Sequence, residues 1–298
     1  MSMVQSFVRF YRTRVQQYYR NQWANQWKSR KIIYNWLDRT AENDALLESK
    51  KKFFVLGSGR SGTQMLSGLL NLDHSVLVLH EPAFFEDRVT RNTVRYGKLN
   101  VREYLIGFRK HLIAHRIRKS EQVKTYGEVT GTLRYHAAGI KEVFPDAKML
   151  ILTRDGRDVV RSIMQHDFYT ETSVKDGDTS PLFGKQYFNT WEGMSRFEKV
   201  CWLWADSYES LLRLIPETKI IYFEKIIEDF DYCNNQVFSF LDIQISHEQW
   251  QKYLSKKSIN AINHHKFSHW KDWSQKNRDD FDRICGPVMN RLGYKYKW

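Results

Sequence analysis

Three groups of residues have the types and spacing to act on an anion. The first lies in FFVLGSGRSGTQMLSGLLNL, Phe53 to Leu72, where Gly57, Ser58, Gly59, Arg60, Ser61, Gly62, Thr63 and Gln64 connect four apolar residues to Met65, Leu66, Leu69 and Leu70. Its glycines let a loop present backbone N–H groups, and the helix that follows adds the positive end of its dipole. The second is Arg154 with Ser162 two helical turns on, a fork-shaped guanidinium and a hydroxyl that suit a phosphate. The third is His80-Glu81-Pro82, where Glu81 reads as a general base or as a salt-bridge partner for Arg60, and His80 is the rival base.

The first loop departs from the triphosphate pattern GxxxxGK[ST], because Gly62 is followed by Thr63 and Gln64 and the cation, Arg60, precedes it. Such a loop holds one phosphate with a cation beside it and lacks the usual parts for a triphosphate and its magnesium. The bland alternative is a glycine-rich turn that merely joins a strand to a helix.

These groups need a scaffold that brings strand ends together. The apolar runs Phe53–Leu56, Ser75–Leu79 (SVLVL) and Lys148–Thr153 (KMLILT) read as buried parallel strands, with shorter strands over YGEVT (Tyr126–Thr130) and Ile220–Phe223. Helical patterns fall between them, over 100–119, 132–143, 197–215, 226–241 and 277–292. The fold class is therefore α/β: a phosphate-loop-like parallel β-sheet flanked by helices on both faces, with a helical N-terminal extension. In such sheets ligands collect at the carboxyl ends of the strands, which places Glu81 at the edge that holds the phosphate loop. Side-chain alternation along a strand allows only one of His80 and Glu81 to face the site. Arg157, Asp158 and Arg161 read as an exposed charged first turn of the helix after Arg154, and the basic residues of 100–119 as a solvated face.

The 298 residues divide into a basic, aromatic extension over 1–50 and one α/β domain over 51–298. A hydrophobic content of 42% supplies an ample core. No run reaches the ~18 apolar residues of a membrane span. The N-terminus, broken by charge, does not read as a secretory signal. Three widely spaced cysteines, Cys201, Cys233 and Cys285, fit neither a disulfide framework nor a zinc site, so a cytoplasmic location is expected, with peripheral membrane association as the variant. A net charge of +13 predicts attraction to anions without naming them. Residues 1–40 interleave cations with aromatics; they read as a surface for membrane or polyanion, or as an arm packed on this domain or on a second subunit. Residues 41–52 read as the approach to the first strand. The long polar and aromatic stretch 166–200, with Gly177, Gly184 and Gly193 as hinges, reads as a lid or acceptor-binding insertion, in which Asp167, Tyr169, Tyr187 and Trp191 could contact a sugar or other polar acceptor, ordinary packing being the safer assignment for each.

GSGRSGT after one strand and LTRDGRDVVRS after a later one resemble the 5′-phosphosulfate loop and the 3′-phosphate motif of sulfotransferases that use 3′-phosphoadenosine 5′-phosphosulfate (PAPS). The similarity runs from about residue 50 to 295, and in its motifs it is nearest to tyrosylprotein, carbohydrate and bacterial enzymes. The resemblance implies Arg60 at the 5′-phosphosulfate with Gly59, Ser61, Gly62, Thr63 and Gln64 supplying donors, and Arg154 with Ser162 at the 3′-phosphate. It implies Glu81 as catalytic base with Arg60 as the second catalytic residue, Tyr222 near the nucleotide, and Lys271 or Lys266 in a C-terminal loop that closes over the donor. The reaction would be in-line transfer of the sulfuryl group to a hydroxyl or amine, with no metal, 3′,5′-adenosine diphosphate as product, and a carbohydrate, other polar small molecule or lipid as acceptor. Val129 stands where tyrosylprotein enzymes carry a leaving-group Lys, so the resemblance does not imply a peptide substrate. The alternatives are a nucleotide-binding protein or small-molecule kinase on the same scaffold, disfavoured by the missing Lys, and a nucleic-acid-binding module, which lacks any motif of that class.

Overall fold

A computed structural model describes residues 40–82, 101–120, 122–167, 169–170, 180–181, 185–256, 267–295 and 297–298. Five parallel strands, β1 (Lys51–Gly57), β2 (Val76–His80), β3 (Thr125–Thr130), β4 (Lys148–Thr153) and β5 (Lys219–Tyr222), form one sheet in the order β2-β3-β1-β4-β5. The middle three strands are buried on both faces, which is why β1 and β4 read as unbroken apolar runs. Strand β3 does not read that way. Its Gly127 is required because a Cβ there would lie 2.0 Å from the Phe53 ring, and its Glu128 is fully buried.

Alternation along the strands splits the core in two. Phe54, Leu56, Tyr126, Met149 and Ile151 pack on one face, and Phe53, Val55, Val129, Leu150, Leu152 and Ile221 on the other. Each such side chain stabilises the fold by roughly 1.5–3 kcal/mol on burial. The first face is covered by α3 (Lys110–Arg118), α6 (Arg196–Leu214) and α9 (Gln275–Arg291); the second by α2 (Thr63–Leu70) and helical segments after β5 that include α8 (His247–Leu254). Between these lie α4 (Ala137–Val143), α5 (Gly156–Met164) and α7 (Phe223–Glu228).

Three local expectations change. Residues 41–52 are not a plain approach: Thr40–Glu48 is a helix, α1, that buries Leu47 and sets the Asn43 amide 2.7 Å from Nδ1 of His111. The helix over 100–119 carries a π-helical turn, Leu105–Arg109, and its basic face is not wholly solvated. Arg109 is 1% exposed and pairs with Glu128, which also accepts from the Tyr126 hydroxyl. Two buried charges are tolerable only when paired and hydrogen-bonded in this way. The single helix expected over 226–241 is broken, with Asp229 capping a new turn at Tyr232. Residues 1–39, and with them the aromatic arm, lie outside the described residues. Among those described, no helix is long and apolar enough to cross a membrane.

Chain direction decides where a ligand can sit. From β1 the chain crosses to β2 on one side of the sheet, and from β4 to β5 on the other, although β1 and β4 are hydrogen-bonded neighbours. Their following loops therefore part at a crevice, the position at which open α/β sheets bind ligands.

Candidate active site

The loop after β1 reaches α2 through Gly62, whose φ of 94° is left-handed and open to glycine. A Cβ on Gly62 would also meet the Phe223 ring at 2.2 Å. Arg60 adopts φ 67° without being glycine, at a cost of about 1–3 kcal/mol. Inside the loop the Ser61 hydroxyl donates to the Ser58 carbonyl at 2.7 Å, so it braces the loop. Tyr208, buried on α6, donates to the Leu152 carbonyl at 2.9 Å and approaches the Ser58 hydroxyl at 3.3 Å, tying the start of the loop to the end of β4. The first N–H groups of a helix have no partner within it. Asp155, Ser195 and Ser274 cap those of α5, α6 and α9, whereas Gly62 offers α2 no side-chain cap.

Two guanidinium groups converge beside that helix end. Arg60 Nε donates to Ser162 Oγ at 2.9 Å, and Arg154 donates to the Arg60 carbonyl at 3.4 Å while lying 4.7 Å over the Phe223 ring. The structure thus joins Arg60, Arg154 and Ser162. Burial and, second, the neighbouring Arg154 lower the pKa of Arg60 from its ordinary value. Among the described residues neither arginine makes an ion pair with a carboxylate. Arg157 behaves differently and corrects an expectation: it is buried, pairs with Asp155 at 2.6 Å and stacks 3.9 Å from the Trp270 ring. Trp270 in turn donates to Asp158 at 3.1 Å. Glu224 accepts from the Asp155 N–H at 2.8 Å and from the Tyr294 hydroxyl at 3.2 Å, so this carboxylate braces the end of β4.

The end of β2 supplies a carboxylate and an imidazole together. Glu81 takes a left-handed φ of 43°, which breaks the strand alternation and brings its Oε1 to 4.0 Å from His80 Nε2. The same nitrogen is 3.0 Å from the hydroxyl of Thr63, the first residue of α2. Both side chains are about one third exposed, and the turn at Glu81 removes the strand alternation on which the expectation of a single site-facing residue rested. Burial holds the His80 pKa below its usual value, with Glu81 opposing, which favours neutral imidazole at pH 7. The Asn71 amide locks this arrangement by bonding both the N–H and the carbonyl of Val78 at 2.9 and 2.7 Å, fastening the end of α2 to β2.

The remaining candidates have these places. Gly59 and Gln64 are exposed at the loop. Tyr222 is half-buried at the end of β5, where its hydroxyl donates to the Leu292 carbonyl at 2.8 Å. Lys271 is exposed, with its ammonium 5.6 Å from the Trp270 ring, and Lys266 lies outside the described residues. Gly177 and Gly184 of the expected insertion also lie outside them, while Tyr169 packs edge-on against Trp191, which packs against Trp202. Sequence reasoning missed Phe223, whose ring fills the space beside Gly62 and carries Arg154, and Tyr208. The signal for Phe223 was its place just past β5; Tyr208, mid-helix, had none.

A family model described as the sulfotransferase domain matches residues 50–285. No curated protein matches the sequence significantly. Among solved structures, the sulfotransferase domain from the curacin biosynthetic pathway is 13% identical, with 83% of this chain and 99% of that chain covered and a TM-score of 0.46. A sulfotransferase from Alicyclobacillus acidocaldarius is 15% identical (83% and 97% covered, TM-score 0.45), and a mouse sulfotransferase complexed with PAP is 14% identical (80% and 85%, TM-score 0.43). The family match spans most of the chain and takes in all five strands with the loops that follow them. The chain accordingly belongs to the sulfotransferase domain family, enzymes that transfer a sulfuryl group.

Proposed function

We propose that this sulfotransferase uses PAPS as donor and a hydroxyl or amine of a carbohydrate, other polar small molecule or lipid as acceptor. One observation carries the reading: Arg60 and Arg154 are held together through Ser162 and the loop backbone, at an uncapped helix N-terminus, with no carboxylate paired to either among the described residues. Two cations held side by side repel, and burial and, second, Arg154 lower the pKa of Arg60. A ligand with two separated anionic groups reverses that sign, and the strand order opens a crevice at this point.

PAPS supplies a sulfuryl group on a good leaving group, 3′,5′-adenosine diphosphate. Arg60 and the first N–H groups of α2 stabilise charge that develops on the leaving oxygen. Arg154 and Ser162, the latter bonded to Arg60, hold the 3′-phosphate, and Phe223 and Tyr208 keep these groups in register. Glu81 accepts the acceptor's proton as its oxygen or nitrogen attacks, a contribution of typically 10²–10⁴-fold. Calorimetry on the full chain tests the donor: 3′,5′-adenosine diphosphate binds in the micromolar range and ATP with magnesium much more weakly. The opposite order would end this reading. Labelled PAPS incubated with carbohydrate, lipid, phenol and peptide acceptors then identifies the acceptor class.

A further inference from the structure

We propose that His80 is a positioning residue whose Nε2–H, given to Thr63 when an anion fills the loop, turns the Thr63 hydroxyl onto that anion and leaves Glu81 free to take a proton. This rests on the reading of the loop as donor site and of Glu81 as base.

A single nitrogen faces both partners, Thr63 Oγ1 at 3.0 Å and Glu81 Oε1 at 4.0 Å. The Thr63 hydroxyl carries one proton, and neutral imidazole carries its proton on one nitrogen only. If Nε2 is bare, it accepts the threonine's proton, and the hydroxyl then turns lone pairs toward the mouth of α2. That is the wrong sign for an anion. If Nε2 carries the proton, it donates to Oγ1 and releases the hydroxyl proton for the ligand. An anion at the loop therefore selects the Nε2–H tautomer.

The same choice governs the carboxylate. At 4.0 Å Nε2 is too far from Glu81 for a hydrogen bond, but an Nε2–H at that distance still stabilises the carboxylate and makes it a weaker base. Once that N–H is committed to Thr63, its electrostatic hold on Glu81 weakens. Burial lowers the pKa of the ring, with Glu81 opposing, and so favours the neutral form that a one-proton relay requires. The left-handed turn at Glu81 has a role here, since a regular strand would point the two side chains to opposite faces.

The test uses the full chain and two nucleotides, 3′,5′-adenosine diphosphate and adenosine 3′-phosphate, which lacks the 5′ group. His80→Ala is expected to weaken the first about tenfold and the second less than twofold. His80→Gln, which keeps an N–H near the position of Nε2, restores most of the loss. Thr63→Val added to His80→Ala costs little more, because the two act as a unit. Nitrogen-15 spectra of histidine-labelled protein should show the Nε2–H form of His80 on addition of 3′,5′-adenosine diphosphate. Equal weakening of both nucleotides, no weakening of either, or a ring that stays Nδ1–H with ligand bound overturns the role of His80 and leaves the donor assignment standing. Wild-type protein that binds neither nucleotide takes both readings down.

Discussion

Strands β1 and β4 carry cations at both ends, and the two ends treat them differently. At their amino ends Lys51 and Lys148 converge on Asp242, at 3.0 and 2.8 Å, and nearby Lys110 pairs with Asp44 at 2.5 Å. These residues line a cavity of about 550 Å³ whose other walls include Lys50, Lys52, Glu48 and Asp146. At their carboxyl ends Arg60 and Arg154 meet a hydroxyl, a carbonyl and an aromatic face, and no carboxylate among the described residues. A net charge of +13 therefore does not locate the site. Positive charge left without a carboxylate partner among the described residues, next to an uncapped helix end, marks the candidate site.

The largest effect that bears on this contrast is at Glu81. Glu81→Gln should lower transfer of labelled sulfate to the acceptor found by screening by about 10²–10⁴-fold, with binding of 3′,5′-adenosine diphosphate nearly normal. A fully active variant would remove Glu81 as base. Next, Arg154→Ala is expected to weaken 3′,5′-adenosine diphosphate by about 10–100-fold and adenosine 5′-phosphate far less, since a hydrogen bond to a charged group contributes roughly 1.5–3 kcal/mol. Lys148→Ala, on the same strand, should leave both affinities unchanged. Calorimetry on the two variants compares the edges directly, and equal losses would dissolve the distinction.

Gly62→Ala should destabilise the protein by about 1–3 kcal/mol, seen as a lower Tm, because it adds left-handed strain and a methyl group within the Phe223 ring. The smallest effect belongs to the amino edge. Asp242→Asn should cost less than about 1 kcal/mol at neutral pH, the usual range for exposed ion pairs. Hydrogen bonds from Lys148 and then Lys51 hold the Asp242 carboxyl below its ordinary pKa. Its stabilisation is therefore complete above the unfolded value of about 4 and fades as pH falls through the lower folded value. Urea unfolding at pH 7 and pH 2 should show the difference between wild type and variant closing in acid.

Much of the fold was legible because it rests on local rules. A strand buried on both faces reads as an unbroken apolar run, so β1 and β4 declared themselves, and a glycine loop opening a helix marked the candidate phosphate site. Strand β3 was harder to read because its stability comes from partners elsewhere: Gly127 makes room for Phe53, and Glu128 is held by Arg109. The charge pattern of 100–119 placed Arg109 on a solvated face; the π-helical turn buries it. Arg157 was misread for the same reason, since Trp270 and Asp155 together cover a side chain that a helix first turn alone would expose.

By itself the sequence determined the period of each element, the glycine that the loop requires at Gly62, and residue types that suit an anion, Arg60, Arg154 and Ser162, with Glu81 as the candidate base. Tertiary structure decided which of them meet. Arg60 and Ser162 are 102 residues apart, Ser58 and Tyr208 150; Thr63 reaches His80 only because α2 folds back along β2, and the left-handed turn at Glu81 brings its carboxylate toward the same ring. Periodicity and sterics act between near neighbours in the chain, whereas hydrogen bonds and charge compensation depend on distance in space, which only the packed fold sets.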